Sequence, residues 1–173
     1  MEPQDVTGLE LDRLARRLLA AHGCADYVMS DPAVAAVLDE VRTGDTALFV
    51  RQLLRWVGHG CCELGRLAGR RGRAFELTAL ADEAGEYGVP AGLARQLVCC
   101  LHLMELPEEL AGGELDRAIA ALLSSYGVSA ILGTSGFFVL VAMRAAELEP
   151  GPATHQQVMA RWFVAEECGR CGD

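Results

Sequence analysis

The chain contains no lysine and no asparagine, and only two isoleucines, Ile119 and Ile131. The missing lysine closes off whole chemistries. A Walker-type phosphate loop needs its lysine to reach the phosphates. A Schiff base to pyridoxal phosphate needs the same amine. The three scarce residue types share A/T-rich codons, which points to a GC-rich genome and a bacterial source. Positive charge is scarce too: the net charge is −9. A nucleic-acid binder must neutralise phosphates with basic groups, so no nucleic-acid partner is expected. A basic protein partner suits this balance better.

Catalytic signatures are also missing. There is no HExxH, GxSxG, GxGxxG or EF-hand loop in the chain. A di-iron site would want Glu-x-x-His on two helices, and the sequence holds no such pair. The opening "MEPQDVTGLELDRLARRLL" has acids where a secretory signal carries bases, and charges where it carries an apolar run. A cytoplasmic protein with reduced thiols is therefore expected, despite seven cysteines.

What remains is helical patterning. Aromatic residues make up only 6%, but apolar residues reach 51%, ample for a buried core in 173 residues. No stretch alternates with the period of a strand. The spacing predicts an all-α, single-domain bundle of about seven or eight helices over 1–173, with 105–114 as a candidate sub-boundary. Thr7-x-x-Glu10 reads as a capping box before Leu11, Leu14 and Leu18. Ser30 or Asp31, followed by Pro32, opens the next helix. Asp45 or Thr46 starts the longest one, over about 46–69, with Gly58, Gly60 and Gly65 as places for a bend. Further helices are expected over about 75–86 and 90–105, the latter stopped by Pro107. "PEELAGGELD" reads as an acidic turn, with Glu105, Glu108 and Glu109 simply solvated. Helices over about 114–125 and 135–148 follow, with Thr134 or Ser135 capping the second. Thr154-x-x-Gln157 is another capping box, opening the last helix.

Between Arg117 and Arg144 there is no charged residue. Such a run is long enough to span a bilayer. It holds three glycines and several hydroxyl residues, and no basic cluster flanks one end. Two buried helices explain it as well, and a membrane-associated protein acting through residues 118–143 stands as an alternative.

Four features carry candidate chemistry. "GHGCCE" and "VCCLHL" mirror each other, and on helices they place His59 with Cys62 and Cys99 with His102, each three residues apart on one face. Brought together they would make a Cys2His2 set suited to zinc. A helical wheel splits each Cys-Cys pair, however. Cys61 and Cys100 fall beside the apolar stripes, whereas His59, Cys62, Cys99 and His102 fall on polar faces near Arg55, Arg66 and Arg95. Two helices packed through their stripes would hold those pairs apart, and neighbouring arginines would favour a thiolate over a cation. The third feature, Cys168-x-x-Cys171, has redox or metal spacing. The fourth, "RLAGRRGR", offers Arg66, Arg70, Arg71 and Arg73 to an acidic group, or is a solvated helix end.

Taken together, the residues lead to a small acidic helical interaction module, non-catalytic and without a bound cofactor, whose partner is another protein, basic in character, or a second copy of the chain. A metal- or redox-responsive protein built on the His/Cys pairs is the alternative, with zinc as its metal.

Overall fold

The computed structural model describes the backbone of residues 3–171 and the side chains of residues 7–165. It is 85% helical, with eight α-helices and no strand among the described residues. The helices are α1 (Pro3–Cys24), α2 (Pro32–Glu40), α3 (Thr46–Arg70), α4 (Leu77–Ala84), α5 (Ala91–Glu105), α6 (Glu108–Tyr126), α7 (Val128–Leu148) and α8 (His155–Cys171). Short 3-10 turns at Val28–Ser30, Thr43–Asp45 and Gly85–Tyr87 join some of them.

Two local start signals act as the residues suggest. Asp31 Oδ1 accepts the backbone N–H groups of Ala33 (2.9 Å) and Val34 (3.1 Å), and Pro32 occupies the first turn of α2. At α8, Thr154 Oγ1 accepts from Gln157 N at 3.2 Å, and Gln157 Oε1 accepts from Thr154 N at 2.9 Å. Both satisfy N–H groups that a helix start leaves without partners. Three expectations fail. α1 already runs from Pro3, so Thr7 and Glu10 lie inside it rather than at its cap. The stretch read as an acidic turn is the start of α6: Pro107 ends α5 and also serves as N-cap of the next helix, and Glu108 and Glu109 face the positive end of its dipole. α7 begins at Val128, so Thr134 and Ser135 sit mid-helix, and Thr134 Oγ1 donates to the carbonyl of Ala130 at 2.6 Å.

The reason α7 continues through its glycines is packing. The most extensive helix pairing is α3 against α7, and α7 also touches α1, α4, α5, α6 and α8. At Gly133 an added Cβ would lie 2.3 Å from Leu93 Cδ2, so α5 closes directly on the α7 backbone. At Gly60, an added Cβ would meet Trp162 Cζ3 at 3.0 Å and Val141 Cγ1 at 3.1 Å, so this glycine lets α7 and α8 approach α3. α3 passes through Gly58, Gly60 and Gly65 as one continuous helix. A single core cluster draws on all eight helices, from Leu18 and Val37 through Leu53, Leu80 and Leu97 to Leu122, Phe138 and Val158. Trp56, Phe138, Trp162 and Phe163 meet within it; Trp56 stands edge-on to Phe163 at 4.9 Å between ring centres.

One charge lies inside this apolar body. Asp12 is 2% exposed. Its Oδ1 accepts from Arg55 Nη2 at 2.7 Å and from Trp56 Nε1 at 2.9 Å, and Arg16 Nε lies 3.4 Å from Oδ2. The Arg55 guanidinium also sits 5.6 Å from the centre of the Trp56 ring. A buried carboxylate is tolerated only with this kind of provision, and the cluster pins α1 to α3.

Substitutions at three positions, checked by urea unfolding, test this account of the packing. Asp12→Ala takes the acceptor from the buried indole N–H of Trp56 and should cost about 1–3 kcal/mol, with Asp12→Asn costing less because it keeps an acceptor. Gly133→Ala should cost about 1–3 kcal/mol through the clash with Leu93. Gly113→Ala, where nothing lies within 4 Å of the added methyl, should instead gain about 0.5–1 kcal/mol. A turn at Gly113 rather than a helix would remove that gain.

Candidate functional site

The α3 residues that face away from α7 form the candidate site. Arg51, Arg55, Gly58, Cys62 and Gly65 recur at four- and three-residue steps, so they line one face of α3. Opposite them stand the end of α5 and the segment entering α4. Between these walls lies a groove of about 660 Å³, floored and walled by Cys61, Phe75, Leu77, Leu101 and Met104. It runs on past Arg55 and Met104 into a second hollow of about 250 Å³ between α3, α5 and α6, where Leu106, Ala111 and Leu115 add apolar surface. Glu76, Glu105 and Glu108 stand exposed along the rim. The two arginines of the groove already have carboxylate partners: Arg55 with Asp12, and Arg51 with Asp116.

The mirrored cysteine pairs divide as the wheel has them. Cys61 and Cys100 are buried; Cys62 and Cys99 are exposed. Burial, reinforced by neighbouring Cys62 and Glu105, pushes the Cys61 thiol up to about 12, and burial with Cys99 beside it pushes Cys100 up to about 11. Both are inert as nucleophiles, since the thiolate is the reactive form.

One histidine departs from the wheel and the other follows it. His59 is half-buried, edge-on to Trp56 (5.9 Å) and Trp162 (6.2 Å), and so faces α8. The reason is tertiary: α8 covers a flank of α3 that a single-helix wheel leaves open. His102 is exposed on the groove wall with Nδ1 3.8 Å from Glu105 Oε2. Cys62 lines the groove and Cys99 does not. Thus His59, Cys62, Cys99 and His102 are not brought to one point, and no three His, Cys, Asp or Glu side chains gather into a metal-binding group among the described residues. The zinc set considered from sequence is not assembled.

The arginine run is dispersed as well. Arg66 pairs with Glu63, Arg71 Nη2 donates to the Glu149 carbonyl at 2.7 Å, Arg73 lines a separate hollow beside Phe75, and Arg70 is exposed. Arg71 is thus a structural tie between the end of α3 and the loop after α7. The side chains of Cys168 and Cys171 lie outside the described residues.

No family model, curated protein or solved structure matches the chain. Its geometry is what speaks to function.

A further hollow, of about 410 Å³, lies between α1, α7 and α8. His22 packs there on the α7 backbone, 3.4 Å from where a Cβ on Gly136 would sit, and its Nδ1 is buried without a hydrogen-bond partner. Burial pushes this imidazole down to about 4 from an ordinary 6.5. His155 Nε2 and Gln156 Nε2 nearby both donate to the Gly23 carbonyl, at 2.8 and 3.2 Å, which ties α8 to the end of α1. Sequence reasoning singled out neither the groove nor His22. The groove's signal was present in the five-residue spacing along α3, but its opposite wall comes from distant segments.

The lowered pKa has a consequence for stability. Between pH 6.5 and about 4 the unfolded chain protonates this histidine and the folded chain does not. The contribution of neutral His22 is fully present above pH 6.5 and is lost as pH falls towards 4, to the extent of about 2–3 kcal/mol. Carboxylates titrate in the same range, so the measurement is the stability difference between wild type and His22→Leu at pH 7 and at pH 4. It should shift by that amount in favour of the variant on acidification; a constant difference would contradict the assignment.

Proposed function

We propose that this chain is a small, acidic, non-catalytic helical module that binds another protein, basic in character, in the cytoplasm. The observation that carries this reading is the corner between α5 and α6. Leu106 and Leu110 are 49% and 70% exposed there, interleaved with exposed Glu105, Glu108 and Glu109. Leu106 and Leu110 lie about one helical turn apart in the chain, so together they offer a joint apolar patch with a polar, acidic rim, the anatomy of a contact surface. Acids around them attract a basic partner and suppress acidic ones.

The apolar helix α7 bears on localisation. By length and composition it is able to cross a membrane, and 61% of its most apolar window is buried inside the bundle. Burial of that share favours a core helix over a membrane anchor.

The test is co-purification of the tagged chain from cells that make it, with the paired variant Leu106→Asp, Leu110→Asp as control. Basic proteins recovered in near-stoichiometric amount should fall about tenfold with the variant and weaken as salt is raised. Equal recovery by both proteins, or a stoichiometric partner that is acidic, would overturn the reading. The untagged chain should also appear in the soluble fraction without detergent.

A further inference from the structure

The groove along α3 is lined by two glycines that close packing does not demand. Gly60 and Gly133 are glycines because neighbours press on them, but Gly58 and Gly65 are not. A Cβ on Gly58 would lie 3.9 Å from Leu101 Cδ2, and one on Gly65 would lie 3.7 Å from Phe75 Cδ1, both ordinary contact distances. Glycine inside a helix is a loss of stability relative to alanine. Here two such losses fall on the same face of one helix, the face that lines the groove. Their effect is to leave the space above α3 open.

We infer that the groove between Arg51 and Gly65 receives an amphipathic helix from a partner protein, apolar on one face and arginine- or lysine-rich on its flanks. The inference rests on the interaction-module reading above and assigns it a site. Three features select this occupant. The stretch from Arg51 to Gly65 is about 21 Å along the axis of α3, the length of about four helical turns. Its walls, Phe75, Leu101 and Met104, are apolar and include a methionine, whose flexible side chain adapts to a helix face. The rim acids Glu76, Glu105 and Glu108 are exposed, and Arg51 and Arg55 are both matched by Asp116 and Asp12, so the local excess of charge is negative. No sheet edge exists among the described residues for an extended peptide to join. A second copy of the chain fits less well. Tyr27 and Met29 do stand exposed together outside this region, at 80% and 83%, but a second copy of net charge −9 brings an excess of acid to a rim that is already acidic.

The test uses the full chain and a synthetic helical peptide of about sixteen residues, with leucines on one face and arginines on its flanks. Its controls are a scrambled peptide and one with glutamate for every arginine. Binding is followed by fluorescence anisotropy. Maleimide labelling of each cysteine, mapped by mass spectrometry, locates it, because Cys62 lines the groove while exposed Cys24 and Cys99 do not. The basic peptide should slow labelling of Cys62 by about tenfold or more and leave Cys24 and Cys99 within about twofold. The acidic and scrambled peptides should bind at least about tenfold more weakly. Replacing the open glycines by leucine (G58L/G65L) should weaken binding by about tenfold, with the helical content of the protein retained. If that variant fails to fold, the neutral-rim variant E76Q/E105Q/E108Q decides, with a weaker and less salt-sensitive interaction expected.

Tight binding without protection of Cys62 would overturn the groove assignment while sparing the interaction-module reading. Absence of binding by any basic peptide would overturn the assignment, and the co-purification result then decides the reading separately. Protection of Cys62 by protein concentration alone, with no peptide, would make a second copy the occupant and overturn the proposal.

Discussion

The structure depends on covering one helix. α7 carries no charge before Arg144, and eleven of its residues are buried, including Phe137, Phe138, Leu140 and Val141. A helix apolar on nearly every side has no solvent face to offer, so it must be surrounded. Much of the fold answers that demand. α3 takes the longest contact, and α1, α4, α5, α6 and α8 complete the enclosure. The few polar groups on α7 are handled locally: Thr134 bonds to its own helix, and Arg144 pairs with Glu83 of α4 and Glu147 of its own last turn. That last pairing fixes the end of α7 where the apolar packing runs out.

Surrounding a central helix leaves the outer faces of its neighbours to other uses. α3 shows both sides of this division. Phe49, Leu53, Val57 and Leu64 are spent on the core, whereas Arg51, Arg55, Gly58, Cys62 and Gly65 line a groove to solvent. Asp12 reaches across from α1 and holds Arg55 and Trp56, residues adjacent in sequence but on these two different faces. The same carboxylate therefore orders the core side of α3 and neutralises the groove side.

The sequence was most legible where structure is local. Helical spacing sets the fold class, and the caps at Asp31 and Thr154–Gln157 are settled within four residues. The split of each cysteine pair is a one-helix question, and a wheel answers it. Legibility fell where a second segment decides. Gly133 and Gly136 look like punctuation, but they are helical because Leu93, Val89 and His22 need the room. His59 looks polar-facing until α8 arrives with Trp162. The α5–α6 corner misled for another reason: proline both ends one helix and begins another, and two glycines after it suggest a turn that the flanking helix formers override. The groove required the most from distant segments, since its walls come from three parts of the chain.

The pairing of α3 with α7 also orders events in time. The two helices are tied at one end by Arg71 and the Glu149 carbonyl, 78 residues apart in the chain. A chain made from its N-terminus displays the apolar face of α3 long before α7 exists to cover it. Neighbouring helices such as α5 and α6 can pair as they emerge, because their contacts are close in sequence. The centre of the molecule cannot, and a fragment ending at Gly127 holds an open hydrophobic surface in place of a smaller version of the same bundle.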